Sequence, residues 1–371
     1  MRVLESKNIQ QLENKEITIF GSGSTCEEFL NFLHGREVCP KKIVILDSFK
    51  EGFLDSSYGR VAIFKMTSAT HIQDLLIIAS CQWHEVLETW RNEIPDNFYL
   101  LSNELMHLGN PIGQLGPFRI ENEFKKNGRS IPTSISNAFV DSQSRELHEL
   151  AFQLRTGMSE KMFYREILEV FNNQNGNESK YSTWFGLREF DIVIDGGIFD
   201  GREIPALVEL LSKNGEYHGF DPNLENINED VRMWANNDPR VRFHNTALWG
   251  CESRLPFDYE KGASSGLRFD EEFESEKKYF VKTTALSNYF GDVKEKKCLI
   301  KLDIEGAELE ALKGGLDFFR RNEVCFAISS YHKAFDIIEI PEFLLSINRK
   351  WNFRIGISNP TFIDWVLYAF E

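Results

Sequence analysis

Positive charge is in short supply in this sequence: 42 lysines and arginines stand against 57 aspartates and glutamates, a formal net charge of -15. A protein that grips a phosphate backbone regardless of sequence needs a basic excess, so nucleic acid is not expected as a partner. Long apolar runs are missing as well. No stretch approaches the roughly 20 residues of a membrane span, and the opening MRVLESKNIQQLENKEITIF has neither the basic start nor the apolar core of a secretory leader. Cysteine is sparse: the six (Cys26, Cys39, Cys81, Cys251, Cys298, Cys325) form no CxxC pair and no His-spaced set. That pattern argues against a disulfide framework and predicts free thiols of a reduced, cytoplasmic protein, with Cys298 and Cys325 as small apolar residues inside strands.

What is present is an ordinary globular composition, 42% hydrophobic and 27% charged, in 371 residues. That length suits two domains, or one large domain with a smaller module. Residues 16–105 alternate short apolar strands with helical patterns: EITIF, STCEEFLNFLHG, KKIVILD, a polar turn-rich piece, DLLIIAS and a helix through WHEVLETWRNEI. Such alternation predicts α/β architecture with a parallel, doubly wound, Rossmann-like sheet. The module is assigned to residues 1–108. Residues 109–180 then read as a linker, rich in Gly, Pro and Asn at first and carrying two helices, SRELHELAFQLR and EKMFYREILEVF.

From residue 181 the alternation restarts and runs to 371. DIVID, YHGF, RVRFHNTAL, CLIKLD and VCFAISS read as strands separated by the helices GREIPALVELLSK, NLENINEDVRMWAN and EGAELEALKGGLDFFRR. Residues 249–290 read as a β-rich insertion. After a helix over FDIIEIPEFLLSI, the segments NFRIG and DWVLYAF close the chain as two consecutive strands, a β-hairpin at the end of a second sheet.

Two glycine loops follow strands. In IFGSGSTCEEF, Gly21 and Gly23 suit a turn that lets backbone approach a pyrophosphate, Ser24 with Glu27 suits a capping box, and Asp47 after the next strand suits a ribose hydroxyl. Cys26 stands where a third glycine would, and two-glycine loops after strands are commoner simply as tight turns. In DIVIDGGIFDGRE the acid, Asp195, precedes Gly197 and Gly201. An acid there suits an ammonium or sulfonium group better than a phosphate, and Asp221 in FDPN can hold both ribose hydroxyls. Acid, glycine loop and ribose-binding acid in this order are what S-adenosylmethionine enzymes use.

The half from about 181 to 371 resembles FkbM-type methyltransferases. The family text D-x-G-A-x-x-G meets Asp195, Gly197 and Gly201, with Ile198 in place of alanine; F-E-P meets Phe220, Asp221 and Pro222; N-x-A-L meets Asn245 to Leu248. Its most specific text, I-K-x-D-I-E-G-A-E-x-x-A-L-x-G, stands almost unchanged from Ile300 to Gly314, and Tyr331-His332-Lys333 with Asp336 and Glu339-Ile340-Pro341 matches a further stretch found in one branch. Asp221 replaces the usual Glu, and Arg202-Glu203 replaces a common Asp-Thr, which leaves the cofactor's methionine end less defined. The resemblance implies a class I methyltransferase fold, S-adenosylmethionine as cofactor, and O-methylation of a sugar, glycan or small metabolite in polysaccharide or secondary metabolism. It implies cofactor contacts from Asp195, Gly197, Gly201, Asp221, Asn245, Ala247 and Tyr181.

Transfer to an alcohol needs the hydroxyl proton removed, so a base is expected at the carboxyl ends of the central strands. Asp303, Glu305 and His332 fall there, with His332 suited to act as base near neutrality. Lys301 shares a strand face with Asp303 and needs a carboxylate partner if buried. Glu305 and Glu308 fit a helix start, and Glu310 is expected to face solvent. A magnesium or manganese ion shared by Asp303, Glu305 and Asp195 is compatible with carboxylate ligands, but no spacing demands one. The segment Ala263 to Gly266, among the aromatics of the insertion, is a candidate acceptor wall.

Two other readings stay open. One is a sugar-nucleotide oxidoreductase or epimerase working through Gly21, Gly23 and Asp47, although no Tyr-x-x-x-Lys pair is present. The other is a non-catalytic glycan-binding protein. Association into a homo-oligomer is left open.

Overall fold

The structure, a computed structural model, describes residues 2–68, 70, 72, 75–80, 83–102, 105, 130–156, 158, 160–173, 185, 189–257, 266–267, 279–347, 350–357 and 365–371. The chain divides into two compact units. The first comprises Met1–Arg129, Gln153–Glu169 and Asn359–Phe362; the second comprises Ser130–Phe152, Val170–Ser358 and Ile363–Glu371.

The first unit is built on β1 (Arg2–Leu4), β2 (Glu16–Phe20), β3 (Lys42–Asp47), β4 (Gly52–Ser56), β5 (Gly59–Lys65), β6 (Leu75–Ile78) and β7 (Tyr99–Leu101). They form one sheet in the order β1-β7-β6-β2-β3-β5-β4, parallel except for β4. The stretch read as polar and turn-rich is thus the β4–β5 hairpin. The capping box expected of Ser24 and Glu27 is absent. Gly23 itself is the N-cap of the helix Ser24–Gly35, and no side chain caps it.

The second unit holds β8 (Phe190–Gly196), β9 (Leu211–Phe220), β10 (Val241–His244), β11 (Ala247–Leu248), β12 (Ser253–Phe257), β13 (Tyr279–Thr284), β14 (Lys297–Leu302), β15 (Glu323–Ser329), β16 (Asn352–Ile357) and β17 (Trp365–Phe370). Its main sheet runs β10-β9-β8-β14-β15-β17-β16, with β17 antiparallel to both neighbours. This is the doubly wound sheet closed by a hairpin that the alternation predicts. β11, β13 and β12 make the small sheet of the insertion.

The centre of strand β8, Ile192 to Ile194, is apolar because it is covered on both faces. Val193 and Ile194 are fully buried, and so are Cys298 in β14 and, to within 3%, Cys325 in β15. Strand β9 begins six residues before YHGF, so the predicted helix GREIPALVELLSK ends early, at Val208. Gly215 explains the extension. A β-carbon there would lie 2.6 Å from the Phe190 carbonyl, at the irregular register between Phe190 and Ile192, so glycine lets β9 run through the gap between the predicted helix and YHGF. The helix predicted over EGAELEALKGGLDFFRR is two, Glu308–Gly314 and Leu316–Arg321, divided at Gly315.

Candidate functional site

Strand order reverses direction between β8 and β14, and the carboxyl ends of strands beside such a switch point open into a crevice. A cleft open to solvent lies there. Gly197, Asp221, Ala247, Asp303 and Glu305 all line it, together with Gly266 of the insertion. These six candidates thus line one cavity, drawn from the ends of β8, β9 and β14, from β11 and from the insertion.

The loop after β8 is fixed by two devices. Gly197 has φ +82°, and a β-carbon on it would sit 1.9 Å from the Asp303 carbonyl oxygen, so the two strand ends touch through backbone. Asp221 holds the loop from the other side: its Oδ2 accepts the Ile198 N–H at 3.0 Å and the Phe199 N–H at 3.1 Å, and its Oδ1 accepts the Asn223 N–H at 2.7 Å. Burial pushes the Asp221 carboxyl up, opposed by these backbone donors. Oδ1 carries a single such bond, which leaves it capacity for a ligand hydroxyl.

Asp195 does not reach the cleft. It is 1% exposed, accepts the Tyr217 hydroxyl at 2.6 Å and pairs with the Lys301 ammonium at 2.9 Å. The cation that the sequence assigned to Asp195 is thus Lys301, its register neighbour across β8 and β14. Lys301 also donates to the Gly197 carbonyl at 2.5 Å and lies 3.6 Å from Glu203. Burial alone would lower the Lys301 pKa, but Asp195, Glu203 and Asp303 reverse the sign and keep the amine charged. Lys301 is the tie that holds the glycine loop to β14.

Behind Asp303 and Glu305 lies a second buried charge cluster. His332 Nδ1 is 2.8 Å from Glu308 Oε1, and its Nε2 points between Asp303 Oδ1 at 3.5 Å and Glu305 Oε1 at 3.6 Å. Glu308 also accepts the Ile304 N–H at 2.9 Å, which is the helix-start role read from the sequence. Burial opposes a charged ring, yet Glu308 and Glu305 raise the His332 pKa well above its ordinary value. An imidazolium has no lone pair to accept a proton, so the base role expected of His332 passes to the carboxylates it faces. Glu305 is itself pushed up by burial, with His332 pulling it down. Glu310 is half-buried rather than solvent-facing, bonded to Lys313 at 2.5 Å.

The remaining expectations are placed as follows. Gly201, φ +78°, is a packing position: a β-carbon would press on Val231, Ile204 and Ile227 at 3.0 to 3.2 Å. Asn245 is exposed and outside the cleft lining. Tyr181 and residues 263–265 lie outside the described residues. Among the described residues no group of three or more His, Cys, Asp and Glu side chains is arranged to hold a metal ion. A carboxylate set with Asp195 fails because that side chain is turned to Lys301. In the first unit, Asp47 accepts the Ser22 hydroxyl at 2.6 Å and the N–H groups of Ser22, Phe49 and Lys50 at 2.9 to 3.1 Å. Asp47 thus closes its own loop. Sequence reasoning missed Phe199, Asn223 and Asn226 in the cleft wall. It also missed Glu308 as the partner of His332; the only signal for either was adjacency to a motif.

Comparison with known proteins agrees with this geometry. Residues 200–355 match the model of the methyltransferase FkbM domain. The crystal structure of a methyltransferase FkbM from Methylobacillus flagellatus has the same fold, at 16% identity and a TM-score of 0.59 over 98% of this chain and 93% of that one. An O-methyltransferase from Bacillus cereus in complex with SAH (9% identity, TM-score 0.32, 61% of this chain and 97% of that one) is similar at a slighter level. So is fibrillarin from Aeropyrum pernix with natively bound S-adenosyl-L-methionine (9% identity, TM-score 0.30, 49% and 67%). No curated protein matches the sequence.

Proposed function

We propose that this chain, whose residues 200–355 belong to the methyltransferase FkbM domain family, uses S-adenosylmethionine to methylate a hydroxyl oxygen of a sugar, glycan or small metabolite. The observation that carries this reading is the meeting of Asp221 and the Asp303–Glu305 pair in one cleft beside the glycine loop. The residues fit the cofactor: Asp221 retains acceptor capacity for ribose hydroxyls, and the carboxylates of Asp303 and Glu305 complement a cationic group. When bound, S-adenosylmethionine supplies a methyl group on an already activated sulfonium.

The protein's own part is positioning and proton removal. Asp303 takes the hydroxyl proton, the role its place at the end of β14 supports. His332, locked by Glu308, faces both Asp303 and Glu305 with Nε2 and orients them. Lys301 and Asp195 fix the loop that seats the cofactor, and Ala247 forms part of the cleft wall.

Calorimetric titration with S-adenosylmethionine tests the assignment. Saturable binding is expected, with Asp221→Ala weakening it about tenfold or more, the scale of one lost bond to a charged acceptor. Asp303→Asn is expected to lose turnover by far more than it loses cofactor binding. Absence of binding by the native chain sinks the reading. Mass spectra of glycans and metabolites from cells with and without the protein, searched for a one-methylene difference, identify the acceptor.

A further inference from the structure

Phe199 combines three observations that packing does not account for. It lines the cleft, it is 37% exposed, and its backbone has φ +50°. An aromatic residue in the left-handed region is uncommon, and strain of this kind, about 1–3 kcal/mol, persists where surrounding structure enforces it. Here the enforcement is visible. The Phe199 N–H is held by Asp221 Oδ2 at 3.1 Å, and Gly197 and Gly201 on either side are also at positive φ. Glycine or asparagine would adopt the same backbone at less cost. Yet the position carries a large apolar ring that leaves 37% of the residue's surface exposed to the cleft and solvent, and among the described residues the ring stacks on no other aromatic side chain.

We propose that Phe199 is a ligand-contact residue: its ring forms one wall of the cofactor compartment and packs against the S-adenosyl group whose ribose Asp221 holds. This inference rests on the cofactor reading above. The same Asp221 oxygen that fixes the loop orients the ring, so ring and ribose acid are set by one hydrogen-bonded unit. An aromatic face suits this ligand twice over, as apolar surface for the nucleoside and as a π-face for neighbouring positive charge.

The test pairs thermal unfolding with calorimetric titration, using S-adenosylhomocysteine as the probe. Phe199→Gly and Phe199→Asn both accept positive φ, and Asn keeps a β-carbon that limits loop freedom. Both variants are expected to unfold at or above the native temperature while binding the probe at least about fivefold more weakly, the scale of one aromatic contact. Phe199→Tyr is expected to bind as the native chain does. A lowered unfolding temperature in both Gly and Asn variants would make the ring a packing element and overturn the proposal, as would unchanged affinity. A native chain that does not bind the probe at all is a distinct result, because it removes the cofactor reading on which the proposal stands.

Discussion

At the scale of single residues, burial and charge conflict most sharply at His332, and geometry resolves the conflict. Its side chain is 1% exposed, but three carboxylates lie within 3.6 Å of its two ring nitrogens. A pKa raised in the folded state means stability that is complete below the unfolded value, about 6.5, and lost as pH rises through the folded value. Ring carbon shifts measured by NMR are therefore expected to report an imidazolium through neutral pH. In Glu308→Gln they are expected to report deprotonation at lower pH, and a neutral native ring at pH 7 would refute the cluster's electrostatics. Gly197 makes a sterner demand, since Gly197→Ala must shift either the loop or the Asp303 carbonyl. A loss of about 3 kcal/mol or more in urea unfolding is expected, larger than the strain of positive φ alone. The sequence made Asp303, His332 and Gly197 legible because their neighbours form a recognisable text. Glu308 was read as an acid in the first turn of a helix, which it also is. Its second role depends on a partner 24 residues away, and only the tertiary fold brings that partner to it.

At the scale of elements, the informative contact is between β8 and β14. Lys301 and Asp195 are register partners on adjacent parallel strands, and both are buried. Breaking such a pair by removing one member leaves an uncompensated charge and costs about 3–5 kcal/mol, whereas removing both is far milder. Lys301→Met is expected to destabilise the protein on that scale. Asp195→Asn/Lys301→Met is expected to recover much of the loss, because Asn still accepts the Tyr217 hydroxyl. A double-mutant cycle by denaturant unfolding is expected to give a coupling of about 1–3 kcal/mol, and strict additivity would show that the two charges are not energetically joined. Alternating apolar strands made the sheets legible, and the charged position inside CLIKLD flagged a partner without naming it. The opening of β9 was not legible, because Ser212 and Lys213 read as the end of a helix and Asn214 and Gly215 carry no strand pattern. Strand pairing with β8, helped by a glycine with no side chain to clash, overrode that local preference.

At the scale of the whole molecule, the net charge of -15 suggests a stability that simply falls as carboxylates ionise, but the interior divides the response. In the second unit, burial and Glu308 push the Asp336 carboxyl up to about 7. A raised carboxyl contributes stability present below its unfolded value, about 4, and lost as pH climbs toward 7. His244 is displaced the other way, to about 4, by burial first and then by the charge of His218 and Arg242. It lies 3.1 Å from His218 Nδ1 and stacks on Phe220 with centroids 4.5 Å apart. Its contribution is present above about 6.5 and lost as pH falls toward 4. The two slopes oppose each other over the same interval, so the native protein should show a flatter profile than either group alone would give. With two compact units, global unfolding need not be one transition, so amide exchange in β14 and β15 is the appropriate measure. Asp336→Asn should make the opening free energy of those strands rise more steeply with pH between 4 and 6.5, and His244→Phe should make it fall. If both variants keep the native slope, neither group is displaced as its surroundings require, and the pH response belongs to the surface charge instead.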